Sequence, residues 1–566
     1  MSLAFGAARR VFLARCGALG VGSTLFPGVL WAKISAGEEI TEASIAAAAE
    51  IAGVAFTADE RTQMVDGLRG QARRLAALHE IPLDNATAPA LVFSPLPRPD
   101  ALPTEIQRPI VPSRVSARAM PAALESLAFA SVTELSDLVR RRQVTSTQLT
   151  TMYLARLGRL DPQLLCVTTI TRARALAQAT AADDEIAAGR YRGPLHGIPW
   201  GAKDLLAVRG YPTTWGTAPY RDQMFSEDAT VVSRLDAAGA VLIAKLTLGE
   251  LAQGDQWYGG MTRNPWKLDQ GSSGSSAGPA SATAAGCVGF AIGSETLGSI
   301  SSPSTRCGVT GLRPTFGRTP RTGAMALSWS MDKLGPLCRT VEDCALVLST
   351  IHGPDGRDQS VLRAAFNWQG SAGARGLRVG FVQSAFDRPV DRGHATKPFD
   401  DAALDVLRTL GVELLPVEIP AINYDAMRII LTAEAGAAFD DLTRSGRVRE
   451  LAQQDAGDWP NIFRTARLIP AVDYVNANRV RTRAIAEWDT LMQRVDVLVA
   501  PTSSGQLVAT NLTGHPAVIL PNGFREDGTP VSLTFIGRLF GEETLLRVAE
   551  AYQQATPHHT KHPALG

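Results

Sequence analysis

Hydrophobic and polar positions along this 566-residue chain follow the periods of helices and strands over most of its length. Stretches with the 3.6-residue period of a helix cover 131–143, 146–158, 172–188 and 230–238. Short β-rich apolar runs cover 166–170, 239–246 and 496–501. Because helical and strand-like stretches alternate from about residue 125 onward, the pattern predicts an α/β fold with one large sheet covered by helices. Ser146 is a candidate cap for the helix that follows it.

The chain ahead of this region predicts two helices between residues 40 and 79, within a helical segment at 33–80. Thr57 and Glu60 stand in the relation of a capping box, so the second helix begins at that point. Its apolar residues recur on one face, at Met64, Leu68, Ala72, Leu75 and Leu78. Such a stripe has to pack against another surface.

Residues 81–124 join the two regions and are too rich in proline for regular structure. We expect them to form an extended connector that runs over a surface. The main domain is therefore placed at 125–562. Within it, the segment 385–490 is more helical and more charged than its surroundings and could form a lid or cap.

Residues 1–32 have the order of a twin-arginine export signal. RRVFL at 9–13 is followed by an apolar, glycine-rich run at 16–31 and by Ala32. The run is short for a membrane-spanning helix, so we expect no stable membrane insertion of the mature chain. A working signal would make the protein periplasmic or secreted. If the segment is only a start-site extension or a packing helix, the protein would be cytoplasmic.

Composition mainly excludes function classes. With 56 basic and 55 acidic residues the net charge is +1, which gives no general attraction to nucleic acid or to an anionic membrane. The six cysteines form no C-x-x-C pair and have no histidine at ligand spacing, which argues against a zinc site and against a disulfide framework. P-loop, haem and H-E-x-x-H patterns are missing as well. We expect neither a metal nor a cofactor.

The stretch at 271–313 consists almost entirely of Gly, Ala, Ser, Thr and small apolar residues. This composition is typical of a flexible linker, but the apolar run from Cys287 to Ile292 favours a buried strand or a packed turn. The stretch offers main-chain groups and hydroxyls for chemistry. Ser275 and Ser299 are its serines of interest, although neither has a histidine close in sequence to take up its proton.

Lys203 is a candidate base for these serines. It stands among glycine and apolar residues in GPLHGIPWGAKDLL at 193–206. Burial there would lower the pKa of its amino group and make the neutral amine accessible. A lysine can replace histidine as the partner of a catalytic serine. The alternative is an exposed lysine in an ordinary ion pair with the adjacent Asp204.

A series of motifs, taken together and in order, resembles the landmarks of the amidase signature family. They are GPLHGIPWGAKDL, GSSAGPASATAAG, GSETLGSIS, CGVTGLRPTFGR, DKLGPLCRTVEDCALVL, TGHPAVILPNGF and PVSLTFIGRLFGEETLLRVA. The resemblance covers about residues 125 to 556. It implies the amidase signature fold, a large mixed β-sheet covered by helices on both faces. It also implies a serine hydrolase with a Ser-Ser-Lys triad.

The resemblance assigns Lys203 to the lysine of the triad and Ser299 to the nucleophile that forms an acyl-enzyme. The bridging serine falls in either of two doublets, 272–273 or 275–276. Only Ser275 lets the motif align without gaps up to Ser299, so Ser275 is assigned the bridging role. The main-chain N–H groups expected to hold the oxyanion are those of Thr296, Leu297, Gly298 and Ser299. Side chains assigned to an apolar substrate pocket are Trp257, Tyr258, Met261 and Met325, with core packing as the alternative.

The chain departs from the family pattern beside the nucleophile. Leu297 replaces a glycine in the expected oxyanion loop and limits its backbone options. Ser301 replaces an arginine, which puts in doubt any inherited charge network and makes an anionic substrate group unfavourable there. Glu295 in place of aspartate is a milder change.

Three function classes follow. The first is an amidohydrolase of linear amides, with anilides, esters and carbamates as further substrate classes. The second is an amidotransferase-type ammonia transfer with a partner subunit, and the third is a catalytically inactive amidase-like binding protein. ITEASIAAAAEIAGVAFTADERTQMVDGLRGQ also resembles the small subunit of tRNA-dependent amidotransferases, which implies that 33–80 wraps the main domain. The expected partners are a small-molecule amide and water, with a homodimer left open.

Other patterns are assigned to structure rather than to chemistry. Ser330 and Lys333 satisfy the S-x-x-K pattern of β-lactamases, but the companion motifs are missing. His196 is expected to face the backbone at a turn. Cys287 and Cys307 are expected to be packing residues.

Overall fold

The computed structural model describes residues 40–51, 55–79, 84–87, 89–114, 121, 123–392 and 394–565. The segment interpreted as an export signal lies outside them, so that interpretation stays a prediction. Within the described residues, no helix combines the length and the apolar character needed to cross a membrane.

The strands of the described chain are β1 Val167–Ile170, β2 Pro199–Lys203, β3 Val241–Leu246, β4 Gln256–Trp257, β5 Gly260–Met261, β6 Arg263–Asn264, β7 Lys267–Gly271, β8 Phe290–Glu295, β9 Thr310–Arg313, β10 Lys333–Cys338, β11 Arg378–Val382, β12 Glu413–Val417, β13 Val497–Pro501, β14 Ala517–Phe524 and β15 Pro530–Gly537. Eleven of them form one mixed sheet in the order β1-β3-β2-β8-β10-β9-β14-β15-β13-β11-β12. Strands β3, β2 and β8 are parallel neighbours, and so are β13, β11 and β12. The remaining neighbours are antiparallel.

Helices flank this sheet, which confirms the predicted α/β class with a large mixed sheet. The helices are α1 Glu42–Ile51, α2 Ala58–His79, α3 Val132–Arg140, α4 Ser146–Leu164, α5 Arg172–Ala187, α6 Thr230–Ala237, α7 Ala277–Ala284, α8 Ser301–Cys307, α9 Val341–Ile351, α10 Gln383–Phe386, α11 Lys397–Thr409, α12 Ile429–Ala438, α13 Asp440–Arg444, α14 Trp459–Ala466, α15 Ala471–Arg494, α16 Gln506–Thr513 and α17 Glu542–Gln554.

Strands β2, β3, β8 and β10 are buried along their whole length. Their sequences are mainly small and apolar, as expected for strands covered on both faces, and each also contains one charged residue: Lys203, Lys245, Glu295 and Lys333. Because β2 and β8 are parallel neighbours, their carboxyl ends lie at the same edge of the sheet. Lys203 at the end of β2 and the residues that follow β8 are therefore brought together.

Capping residues set the start of two predicted helices. Ser131 caps α3 and Thr145 caps α4, each in a capping box with the residue three positions on. The expectation that Ser146 caps the second of these helices is wrong, because Ser146 is its first helical residue.

The N-terminal helices pack on each other. Ile40 and Ile45 are buried against a face of α2 that includes Met64 and Leu68. The predicted capping box at 57–60 is present, with the Thr57 N–H donating to Glu60 at 2.6 Å and the Glu60 N–H donating to Thr57 Oγ1 at 3.3 Å. Wrapping of the main domain by this pair stays a prediction.

The described part of the proline-rich connector, residues 84–87 and 89–114, lies on the main domain and is irregular apart from a short turn at Pro99–Ala101. Val111 forms a parallel bridge with Gln369. The Gln107 side chain donates to Phe366 O at 2.8 Å and accepts from the Phe366 N–H at 2.9 Å. Side-chain and main-chain hydrogen bonds thus hold a segment that has little secondary structure of its own.

The two segments of special composition take different forms. The stretch at 271–313 contains the end of β7, α7, β8, α8 and β9, so the linker alternative is wrong. Its small residues allow these elements to pack closely in the protein interior. The segment at 385–490 contributes β12 to the edge of the sheet and is otherwise mainly helical, from α11 to α15.

Candidate active site

A cluster of three hydroxyls surrounds the amino group of Lys203. Lys203 Nζ lies 2.8 Å from Ser275 Oγ, 3.1 Å from Ser276 Oγ and 2.8 Å from Ser294 Oγ. These serines come from the turn ahead of α7 and from β8, so the cluster joins the two segments that the sequence singles out. Ser276 Oγ also donates to Ser294 O at 3.0 Å. The proton of the Ser276 hydroxyl is thereby committed to the main chain, and Ser276 can only accept from Lys203.

The environment of Lys203 favours a neutral amine. The side chain is completely buried, and this burial lowers the pKa of Lys203 well below its ordinary value. The negative charges of Asp332 and Glu295 offset part of that effect. The alternative of an exposed ion pair with Asp204 is wrong, because Asp204 is itself buried and pairs with Lys245 at 2.6 Å.

Ser275 lies directly ahead of α7 in a tightly packed turn. A Cβ added to Gly274 would lie 1.7 Å from a main-chain oxygen, so only glycine fits there. The Gly274–Ser275 peptide bond is cis. Ser272 and Ser273, the alternative doublet, are not among the partners of Lys203. The Ser272 hydroxyl instead donates to Ser273 O at 3.0 Å.

Ser299 lies in the turn between β8 and α8. The Ser276 N–H donates to Ser299 O at 3.0 Å, which holds the two serine segments side by side. Ser299 is 8% exposed, against 1% for Ser275 and 0% for Lys203. All three residues are buried, and Ser299 keeps the largest remaining exposure. Within the described chain, its hydroxyl has no hydrogen-bond partner.

The loop at 296–299 leaves a set of main-chain donors open. No hydrogen bond between described residues uses the N–H of Thr296, Leu297, Gly298 or Ser299. Gly298 has a φ of +93°, a conformation that favours glycine. Leu297 is not among the residues with positive φ, and its side chain packs on a buried apolar cluster. The left-handed position of the loop therefore falls on Gly298, and Leu297 is not required to adopt it.

Glu295 organises the chain on the far side of the loop. Its carboxylate accepts from the Ile300 N–H at 2.9 Å, and from the Ser301 N–H and hydroxyl at 2.8 Å each. The other carboxylate oxygen accepts from Arg313 at 2.8 Å and from Asn511 at 2.8 Å. Burial alone would raise the pKa of Glu295, but the charges of Arg313 and Lys333, with the hydrogen bonds from Arg313 and the Ser301 N–H, lower it to about 2. The loss of an arginine at 301 therefore leaves a charge network in place, with Arg313 as its cation.

Asp332 holds the other end of the loop. Asp332 Oδ1 accepts from the Thr296 hydroxyl at 2.6 Å, and Oδ2 accepts from the Leu327 and Ser328 N–H groups at 2.8 and 3.0 Å. The Ser328 hydroxyl in turn donates to Glu434 at 2.6 Å. Helix α12 of the segment at 385–490 is thus tied through two carboxylates to the residue that begins the loop.

The patterns assigned to structure lie apart from this cluster. Lys333 Nζ donates to Asn511 and Ser330 Oγ donates to Glu434, so the S-x-x-K pair forms no site of its own. His196 Nδ1 accepts from a main-chain N–H, as expected for a histidine that faces the backbone. Cys287 and Cys307 are buried free thiols, and burial raises the pKa of both.

A cavity of about 990 Å³ opens beside the cluster. Its wall includes Ser294 and Thr296, but not Lys203, Ser275 or Ser299. The cavity therefore borders the cluster at Ser294 and at Thr296, the first residue of the loop at 296–299. A volume of this order is enough for a small organic molecule.

One of the four side chains assigned to a substrate pocket lines this cavity. Met325 lines the cavity. Trp257, Tyr258 and Met261 belong to the β4–β5 hairpin and its turn, and they are not part of the cavity wall. The Tyr258 N–H donates to Gly216 O at 3.1 Å, next to the cavity-lining Trp215, and the grouping of the four side chains stays a prediction.

Sequence reasoning missed Ser276, Ser294 and Asp332 as contacts of the cluster. Ser294 and Asp332 lie inside the motifs GSETLGSIS and DKLGPL, so the sequence indicated the segments that contain them. No local pattern indicates which polar side chain of a motif points toward Lys203. Ser276 is adjacent to Ser275, and its contact depends on the conformation of the turn.

Comparisons with known proteins agree with this geometry. A family model described as Amidase matches residues 148–510. A glutamyl-tRNA(Gln) amidotransferase subunit of Roseiflexus sp. (strain RS-1) is 36% identical over 485 residues, covering 77% of this chain and 98% of that protein. The protein of the same name from Methylococcus capsulatus is 34% identical over 481 residues, covering 77% and 98%.

Solved structures include a similar fold. The native peptide amidase from Stenotrophomonas maltophilia matches with a TM-score of 0.69 and 30% sequence identity. The match covers 76% of this chain and 97% of that one. Each of these matches thus covers nearly the whole length of the known protein and about three quarters of this chain.

Proposed function

Because this chain belongs to the amidase family, we propose that it hydrolyses a carbon–nitrogen bond of a linear amide through an acyl-enzyme at Ser299. The observation that carries the proposal is the buried lysine with its amino group 2.8 Å from Ser275 Oγ, in a cluster where Ser299 is the least buried of the three residues. Anilides, esters and carbamates are further substrate classes for the same chemistry. If the export signal works, the enzyme acts in the periplasm or outside the cell.

The hydrogen bonds around Lys203 support the direction of proton transfer. A neutral amine has two N–H donors and one lone pair. Since the Ser276 proton is committed to Ser294 O, one N–H goes to Ser276. With the second N–H on Ser294, the lone pair is left for the proton of Ser275. Lys203 can then take a proton from Ser275 while Ser275 takes one from Ser299.

The Ser299 oxygen then attacks the amide carbon, and the carbonyl oxygen becomes an oxyanion. The free N–H groups at 296–299 are the donors that would hold this charge, and one such donor contributes about 3 kcal/mol. Collapse of the intermediate breaks the C–N bond, and the relay returns a proton to the leaving amine. Water, deprotonated by the same relay, attacks the ester carbon, and the acid leaves as Ser299 regains its proton.

Alanine at position 299 tests the assignment. Ser299→Ala should lower kcat/KM by about 10⁴-fold or more and abolish labelling by a fluorophosphonate. Ser302→Ala is the matched control, because Ser302 lies three residues on, in the first turn of α8, and its hydroxyl makes no hydrogen bond within the described chain. Full activity of Ser299→Ala would refute the assignment. Failure of the wild type to be labelled would favour an inactive binding protein.

Amidotransferase-type ammonia transfer is the second candidate, supported by the similarity to amidotransferase subunits. Both candidates share the attack of Ser299 and the release of ammonia, and they differ in the acceptor of that ammonia. Amide hydrolysis by the purified chain alone, without ATP or a partner subunit, favours the hydrolase. Release of ammonia only after addition of ATP and a partner subunit would favour transfer.

A further inference from the structure

Part of the proline-rich connector passes over the cavity. We call residues 84–87 and 89–93 the strap. Its first anchor is Asn85, whose side chain donates to Ala326 O at 2.8 Å and accepts from the Ala326 N–H at 2.6 Å. A side-chain amide that satisfies both main-chain groups of one residue fixes the strap in register with the loop it faces.

Phe93 is the second anchor. Its ring centroid lies 3.4 Å from the guanidinium carbon of the buried Arg481. It also makes an edge-on contact with Phe316, with the centroids 5.0 Å apart. A cation over an aromatic face and an aromatic pair each hold a ring in place. The strap is therefore fixed at both ends.

Between the anchors, the strap presents two large apolar side chains. Leu91 is 84% exposed and Val92 is 48% exposed, and both belong to the cavity wall. Other walls of the cavity include Trp215, Phe225 and Met325. Exposed apolar side chains on a fixed segment, facing an apolar and aromatic wall, are suited to burying an apolar part of a ligand.

The charges around the cavity disfavour an anion. Its two arginines are already paired, Arg321 with Asp358 at 3.0 Å and Arg357 with Glu227 at 2.8 Å. Asp332 adds a buried carboxyl group to the wall. A carboxylate on the substrate would find no uncommitted cation among these groups and would face acidic neighbours.

We propose that the strap is a specificity-determining wall of the substrate site, and that the amide carries a bulky, uncharged apolar group held between Leu91, Val92 and the aromatic wall. This inference rests on the proposed hydrolase function. The cavity includes Ser294 and Thr296, so a group held there lies beside the loop at 296–299. The apolar group then sits next to the reacting carbonyl.

The test compares kcat/KM for matched amides in the full chain. One pair is 4-phenylbutyramide and acetamide, and the other is N-(4-phenylbutyl)acetamide and N-methylacetamide. In Leu91→Ser/Val92→Ser, the preference for the bulky member of at least one pair should fall about tenfold or more. Val111→Ser is the control, since Val111 is an exposed apolar residue of the same connector outside the cavity wall. Leu91→Met should keep the preference.

Fluorophosphonate labelling of Ser299 distinguishes failure of the strap inference from failure of the proposed hydrolase function. If every variant is labelled at the wild-type rate and both preferences stay within twofold of wild type, the strap inference is overturned. If the wild type is neither labelled nor active on any of the four amides, the proposed function is refuted, and the strap inference, which rests on it, is refuted as well. An equal loss of activity on all four amides, with the preferences unchanged, also overturns it.

Discussion

The buried pair of Glu295 and Arg313 gives a quantitative test of how the nucleophile loop is held. Replacing Glu295 by glutamine removes the negative charge but keeps the size of the side chain. Arg313 then stays buried without a carboxylate, although Thr510 and His515 O still accept from it at 2.8 and 3.0 Å. The substitution also places an NH₂ group where a carboxylate oxygen accepts hydrogen bonds.

Two routes give the magnitude of the loss. Breaking a buried ion pair by removing one partner costs about 3–5 kcal/mol. A folded pKa of about 2 for Glu295, against its ordinary value of 4.5, corresponds to about 3 kcal/mol of stability. Because the folded pKa is depressed, this stability is present above pH 4.5 and is lost as the pH falls toward 2. We therefore expect Glu295→Gln to lower the free energy of unfolding by about 3 kcal/mol at pH 7.

Urea unfolding, or the rate of unfolding if the transition is irreversible, measures the loss. Asp425→Asn is the control, because Asp425 pairs with Arg428 on the surface at 3.1 Å and such pairs contribute little. In Glu295→Gln/Arg313→Met the combined loss should be smaller than the sum of the two single losses by at least about 1 kcal/mol. Additive losses, or a Glu295→Gln loss below about 1 kcal/mol, would show that the pair does not hold the loop.

Two further predictions concern titration and thiol chemistry. The negative charge of Asp332 raises the pKa of Lys203. In Asp332→Asn this pKa should fall, so the neutral lysine persists to lower pH and the acidic limb of the kcat/KM profile should move to lower pH. An unmoved limb, or a limb that moves to higher pH, contradicts the role of Lys203. Burial raises the pKa of Cys287 to about 12 and also raises that of Cys307, so 5,5′-dithiobis(2-nitrobenzoate) should label neither thiol in the native protein at pH 8. Rapid native labelling of either would contradict the packing, and labelling after unfolding is the control.

The sequence was informative where chemistry depends on residue type and order. An apolar setting made a buried lysine at 203 one of two alternatives, and the structure has Lys203 completely buried. Alternation of helical and strand-like stretches predicted one large sheet covered by helices, and the family resemblance added that the sheet is mixed. The choice of Ser275 over Ser272 came from motif alignment, and in the structure Ser275 contacts Lys203. The roles of the three residues stay proposals until Ser299→Ala is measured.

The rest depends on contacts between segments far apart in the chain. The pairing of Arg313 with Glu295 requires β9 and the end of β8 to lie together, and no local pattern specifies this. The strap was expected only to run over a surface. Its place at the cavity depends on Asn85 meeting Ala326, which lies 241 residues away. Such contacts are properties of the fold rather than of any window of sequence.

The two departures from the family pattern that motivated an inactive protein can now be weighed in physical terms. A leucine at 297 would disable the loop only if that position needed a positive φ, and the structure has the positive φ at Gly298 instead. A serine at 301 would weaken the site if the carboxylate of Glu295 lost its cation. Arg313 supplies that cation, and the Ser301 hydroxyl adds a hydrogen bond of 2.8 Å. Leu297 keeps its main-chain N–H, and Arg313 provides the positive charge beside Glu295, so both departures are compatible with the proposed catalysis.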